Sequence, residues 1–187
     1  MLAKWPLVFK SMGHNLPLFE RMASDTMARA CVKLDATDRA LLWALQRDSR
    51  VSVGDLAEQV HLSTSPCWRR VKRLEDAGLI EGYTVRVSRR KLGLGVTGFI
   101  QLQMENHTPE AAESFEREVV ALPQVLACHN LSGRYDYQLE VVGQDLESFS
   151  EFVRTRIRAL PGVREISTSF SLKELKRQAG LPVELSP

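Results

Sequence analysis

In the second half of the chain two helical stretches end on the same kind of joint, Leu122-Pro123 and Leu160-Pro161-Gly162, and runs with the two-residue alternation of strands flank both. The order is a strand from Val96 to Met104, a helix from Pro109 to Leu122, strands from Val125 to Leu131 and from Tyr135 to Val142, a helix from Leu146 to Leu160, and a strand from Val163 to Leu172. A β-α-β-β-α-β order has few compact closures, and the split-βαβ, ferredoxin-like arrangement is the expected one. The likeness of the two halves is a pseudo-repeat inside one fold, since two units are too few for a solenoid.

Upstream the period is helical. Asp35 is placed to cap a helix whose apolar stripe is Leu41, Leu42 and Leu45, ending near Asp48, with Trp43 expected in or at the edge of the core. Ser52 followed by Asp55 resembles a capping box before Val53, Leu56, Ala57 and Val60. After His61-Leu62-Ser63, the stretch Thr64-Ser65-Pro66 puts a hydroxyl cap before a proline at the first position of a third helix, which stops at Gly78. Cys67, Val71 and Leu74 share one face of that helix. Tyr83-Thr84-Val85-Arg86-Val87 reads as a strand, followed by the basic connector 88–93.

The fold class is therefore α+β: an N-terminal helix-turn-helix of winged-helix type, joined by a strand linker to a C-terminal βαββαβ ferredoxin-like domain. The expected boundaries are an extension at 1–32, the helix-turn-helix at 33–82, the linker at 83–95, the ferredoxin-like domain at 96–177 and a tail at 178–187. The extension shows no sustained period and contains Pro6, Gly13 and Pro17. It is read either as a loosely ordered tail or as a stretch preceding a true translation start at Met22 or Met27.

Composition matters mainly through its distribution. Residues 33–91 carry twelve Lys/Arg against eight Asp/Glu, and residues 92–187 carry nine against thirteen, so a basic front meets an acidic back. Such a contrast directs only the front toward a polyanion. No apolar run approaches the ~18 residues of a membrane span, and the start of the chain lacks the pattern of a secretory signal. Three cysteines, odd in number and far apart, fit free thiols in a reducing cytoplasm.

The third helix carries the chemistry. Ser63, Thr64, Ser65, Trp68 and Arg69 occupy its leading end, the part that meets base edges when a helix enters the major groove. Arg70, Lys72 and Arg73 follow; cations there can neutralise phosphates, and Arg69 and Arg70 can each bridge a guanine at ~1–3 kcal/mol of discrimination. Against this stands the ordinary alternative of a solvated basic face, which three helices at this spacing disfavour. Double-stranded DNA is the expected partner.

The stretches Leu34-Asp35-Ala36-Thr37-Asp38-Arg39-Ala40-Leu41-Leu42, Asp55-Leu56-Ala57 and Leu62–Ile80 (LSTSPCWRRVKRLEDAGLI) resemble the Lrp/AsnC family of transcriptional regulators. The resemblance continues through Gly82-Tyr83 to Ser132-Gly133-Arg134-Tyr135-Asp136-Tyr137 and Leu160-Pro161-Gly162-Val163, spanning roughly residues 33–177, with no counterpart to the extension. It implies homodimers through the C-terminal sheets, often assembled into octamers or larger discs, and an amino acid or related effector bound between subunits. It also places that effector at Gly133, Arg134, Tyr135 and Asp136, completed by a neighbouring subunit's last strand near Thr168 and Ser169. Physically, Gly133 would permit positive φ and turn amides toward a ligand carboxylate, while Asp136 accepts hydrogen bonds from an α-amino group. From the residues alone the loop reads rather as an ordinary hairpin turn, and it is the resemblance that reverses this. Arg134 departs from the smaller or apolar residue usual in the family.

Other chemistry is thin. His14, His61, His107 and His129 are scattered without metal-ligand spacing, and Cys128 and His129 point to opposite faces of a strand. Cys67 reads as a small core residue. No phosphate loop, catalytic carboxylate pair or triad order is present, so no enzyme, metal or cofactor is expected. A second possibility is an enzyme resembling the haem-pathway decarboxylases that share this plan, which the cationic third helix and the scarcity of histidines disfavour. A third is an assembly module that has lost operator specificity.

Overall fold

The computed structural model describes residues 32–176 and 180–185, so the extension up to Cys31, with the alternative starts at Met22 and Met27, lies outside the described residues. The described residues form two compact units, one of 32–86 with 175–176 and 180–185, the other of 87–174.

The first unit is built on three helices, α1 (Ala36–Arg47), α2 (Val53–Gln59) and α3 (Thr64–Asp76). Asp35 caps α1 in a reciprocal box, accepting from the Asp38 amide at 2.8 Å while the Asp38 carboxylate accepts from the Asp35 amide at 3.1 Å. At α2 the box is only half made. Ser52 Oγ accepts from the Asp55 amide, but the Asp55 carboxylate takes the Ser52 hydroxyl at 2.7 Å instead of the cap amide. α3 starts earlier than expected: Ser63 is the N-cap and Pro66 stands at the third helical position. Proline is tolerated there because the first-turn amides have no partner within the helix.

Two six-residue turns close α2 and α3 in the same way. The Leu62 amide reaches Ala57 O at 2.8 Å with His61 left-handed at φ 54°, and the Leu79 amide reaches Leu74 O at 3.0 Å with Gly78 at φ 70°. The first of them is the turn of the helix-turn-helix. The core beneath is Leu41, Leu42, Leu56, Ala57, Cys67 and Leu74, with Leu62 and Val71 packed against it. Trp43, expected in or at the edge of the core, is 45% exposed and is not among the residues packed against it; α1 buries Asp38, Leu41 and Leu42 instead. The segment 83–87 is not a strand in the structure: no strand pairs with it, and Tyr83, Val85 and Val87 stand exposed. Alternation of apolar residues supplies a strand's faces but not the partner that completes it. At the other end of the chain, Val183 packs against this core and Gln46 exchanges two hydrogen bonds with the backbone of Leu181.

The second unit holds β1 (Val96–Met104), α4 (Pro109–Val120), β2 (Val125–Asn130), β3 (Tyr137–Gly143), α5 (Leu146–Phe152), continued by a wider π turn over Val153–Ile157, and β4 (Val163–Phe170). The sheet order is β2-β3-β1-β4 with every pair antiparallel, the ferredoxin-like topology. One sheet face, with Ile100, Leu102, Met104, Tyr137, Leu139 and Val141, is buried in one core with Phe115 and Val119 of α4 and Phe149 of α5. Gly98 permits that approach, since a Cβ there would lie 2.4 Å from the Phe149 ring. Residues of the other face, among them Phe99, Gln101, Gln103, Gln138 and Glu140, are exposed or half-buried. The two proline joints differ: only the second uses a left-handed glycine, Gly162 at φ 73°, whose carbonyl accepts the Glu105 amide at 2.8 Å. Among the described residues no helix is long and apolar enough to cross a membrane.

Candidate functional site

On α3 the 100° step per residue sorts the side chains into three sets. Cys67 and Leu74 are fully buried, with Val71 beside them. Burial raises the Cys67 thiol above its ordinary value, which suits a packing residue rather than a nucleophile. Opposite them, Ser65, Trp68, Arg69 and Lys72 point outward, and Ser63 and Thr64 are exposed at the leading end. Trp68 is 55% exposed, too much for a core residue of its size. Lys72 Nζ lies 3.0 Å from Asp76 Oδ1, whereas Arg69 makes no salt bridge among the described residues.

The third set is Arg70 and Arg73, on the flank toward α1. Arg70 Nη1 donates to Asp35 Oδ2 at 2.6 Å and to Asp38 Oδ1 at 2.9 Å, and Arg73 Nη2 donates to Asp38 Oδ2. Asp38 is 1% exposed and is the one charged residue in the buried set of the described chain. The Asp38 amide, and after it the Arg70 guanidinium, hold the Asp35 carboxyl below the usual carboxylate range. Of the eight residues singled out on the third helix, six thus share the exposed end and outer face, while Arg70 and Arg73 are turned to a carboxylate. In the sequence Asp35 is visible only as a cap and Asp38 has no role of its own; the i, i+3 spacing of Arg70 and Arg73, off the Arg69–Lys72 face, was the available sign of a separate role.

The loop 132–136 enters β3 beside the end of β1. The Asp136 amide donates to Leu102 O and its carbonyl accepts from Leu131, both at 2.8 Å. Its carboxylate accepts the Met104 amide at 2.8 Å where the β1–β4 register shifts. The other carboxylate oxygen is 3.6 Å from His107 Nδ1, and the side chain retains 15% exposure. Gly133 does not adopt the positive φ expected of it; open space surrounds it, and a bend suffices where no tight hairpin turn forms. Arg134 lays its guanidinium 5.2 Å from the centroid of Tyr135 and 3.9 Å from Glu165. Its carbonyl accepts from Gln103 Nε2 at 2.7 Å, and Gln103 Oε1 accepts from Arg164 at 2.8 Å. Gln103 and His107 were not singled out in the sequence.

Thr168 and Ser169 do not join this loop within one chain. They pair with Ile100 and Phe99, several residues back along β1 from Met104. They also point to opposite sides, Thr168 with Ile100 toward the helices and Ser169 with Phe99 toward the open face. A shallow cavity of about 600 Å³ lined by Asp145, Glu147, Ser148, Ser150, Glu151 and Arg154 lies at the far end of β3 from the loop.

With these geometries in place, the matches are specific. Residues 34–81 fit the model of a winged helix-turn-helix DNA-binding domain, and residues 97–181 fit that of the Lrp/AsnC ligand binding domain. The chain is 37% identical over 151 residues to the DNA-binding transcriptional activator DecR of Escherichia coli, an alignment covering 81% of this chain and 99% of that protein. The chain belongs to the Lrp/AsnC family. It is 36% identical, again over 81% of its length and 99% of the relative, to the Bkd operon transcriptional regulator of Pseudomonas aeruginosa. Among solved structures it resembles a transcriptional regulator of Neisseria meningitidis in complex with L-Met, with TM-score 0.78 and 38% identity over 81% of this chain and 97% of that one. As an Lrp/AsnC protein it is an effector-responsive, DNA-binding transcriptional regulator, with the helix-turn-helix N-terminal and the ligand-binding fold C-terminal.

Proposed function

We propose that this regulator reads double-stranded DNA with the outer face of α3 and senses an amino-acid-like effector at the loop 133–136. The domain at 33–82 then recognises the operator, 83–95 links, and 96–177 binds effector and assembles. The observation that carries the DNA half is the outer face itself: Arg69 without a salt bridge, beside exposed Trp68 and the hydroxyls of Ser63, Thr64 and Ser65. A guanidinium with no acid to satisfy it can grip a guanine edge through two hydrogen bonds, and the hydroxyls can donate to bases or phosphates.

For the effector, Asp136 commits one oxygen to Met104 and leaves the other near His107, facing the solvent side. That oxygen suits an α-ammonium. A second copy would have to bring its β4, since Thr168 and Ser169 of the same chain lie elsewhere along the strand. Of the two, Ser169 is the residue a copy stacked on the open sheet face would present. The assembly is thus a homodimer or a higher oligomer such as an octamer, acting in the cytoplasm and carrying no catalysis. Its relatives named above are regulators, one of them crystallised with L-Met.

The test is fluorescence anisotropy with a duplex selected from a random pool against a scrambled one, at two salt concentrations, with and without a pool of the twenty amino acids. A preference that survives the higher salt and shifts with the pool is the expected result. Binding that vanishes equally for both duplexes as salt rises would sink the recognition role of α3, and a preference indifferent to the pool would remove the amino-acid effector.

A further inference from the structure

Asp38 receives three N–H donors on its two carboxylate oxygens: the Asp35 amide at 3.1 Å, Arg70 at 2.9 Å and Arg73. With Asp35 it forms a cluster of two acids and two arginines, neutral in sum. Arg70 and Arg73 are one turn apart on α3, so both ends of the contact are tied to α1 and neither roll nor tilt of α3 is left free. A buried carboxylate is costly unless it is paired and hydrogen-bonded, which makes this contact hard to give up for a phosphate in solvent.

We propose that Asp38 is a positioning residue for DNA recognition, which withholds Arg70 and Arg73 from the phosphates and fixes the roll of α3 so that, of its four cations, Arg69 and Lys72 face the duplex. The inference rests on α3 being the DNA-contacting helix and adds how its cations are divided. A cation gripping a phosphate releases a counterion and steepens the salt dependence of affinity, by about 0.9 in the slope of log K against log salt. A cation held by Asp38 contributes no such step.

The experiment measures that slope for the full chain with a selected and an unrelated duplex, at a temperature where circular dichroism shows each variant folded. Lys72→Gln should lower the slope by about 0.9, as the loss of a phosphate contact does. Arg70→Gln and Arg73→Gln should leave it unchanged yet reduce the ratio of selected to unrelated binding about ten-fold, a readout that loss of stability alone does not move. Asp38→Asn should steepen the slope by about 0.9 as Arg73 is released while Arg70 stays with Asp35, and lower the same ratio. If Arg70→Gln and Arg73→Gln each lower the slope as Lys72→Gln does, the two arginines are phosphate contacts and the inference is overturned. Should Asp38→Asn fail to fold, the two arginine variants still decide. A wild-type chain with no salt-dependent binding would instead overturn the role of α3, and this inference with it.

Discussion

The helix-turn-helix unit has a core of six buried apolar residues and, besides it, a buried, ion-paired carboxylate, whereas in the sheet unit's core of twelve residues only Tyr137 carries a polar side-chain group. That hydroxyl is satisfied by Glu116 at 3.0 Å, and the sheet unit's own bridging carboxylate, Asp136, sits at the rim. A three-helix unit of this size has little apolar area to bury, so a polar brace between α1 and α3 shares the work of holding it together. The sheet unit has a large dry core and can leave its polar loop to ligands. In the first unit the side chains that hold the fold and those proposed to meet DNA are adjacent on one helix. In the second the core lies on one sheet face, and the polar loop meets it only at the rim, where Asp136 accepts the Met104 amide.

The sharpest way to break this contrast is at Phe149, which is 1% exposed, touches the Gly98 backbone edge and meets Phe170 edge-on at 5.1 Å. Phe149→Ala removes a large ring from a core with nothing polar to relax around it. The expected cost is about 3–5 kcal/mol, read by urea unfolding followed with far-UV circular dichroism. A loss below ~1 kcal/mol would mean that the sheet unit is not held by its core packing, and the comparison would fall.

Asp136→Ala sharpens it from the other side. The substitution leaves the Met104 amide without its acceptor at the register shift between β1 and β4. Leaving such a group unsatisfied costs about 1–3 kcal/mol, toward the lower end here because the rim admits water. Effector response in the anisotropy assay should disappear while effector-free DNA affinity stays within two-fold, roughly 0.4 kcal/mol. If response and stability are both unchanged, Asp136 is neither brace nor ligand, and the loop is an ordinary turn.

How much of this could be read in the sequence follows from the same contrast. The β-α-β-β-α-β order, the cap at Asp35 and the stop at Gly78 are local patterns, and the structure places them where the periodicity does. The partners of Arg70 and Arg73 lie 32 to 35 residues away along the chain, so no window of sequence shows that carboxylates at the start of α1 hold two of the four cations on α3. The stretch 83–87 has a strand's alternation but lacks a partner, which local pattern cannot supply. Thr168 and Ser169 are the reverse case: adjacent residues on a strand must face opposite ways, so their separation was legible, and only the resemblance to the family joined them.

The smallest effect lies in the paired turns that end α2 and α3, which have one hydrogen-bond pattern and two different residues at the left-handed position, His61 at φ 54° and Gly78 at φ 70°. A side chain in that conformation crowds its own backbone by about 1–2 kcal/mol, and glycine escapes this while losing more freedom on folding, about 0.5–1 kcal/mol. His61→Gly should therefore stabilise the unit by about 0.5–1 kcal/mol. Gly78→Ala, which meets open space, should destabilise it by a similar amount through conformation alone. Tryptophan fluorescence in urea follows both, since Trp43 and Trp68 belong to this unit. If His61→Gly instead destabilises, the imidazole makes a contact that outweighs its backbone strain, and the unit would be held by a second polar side chain besides Asp38.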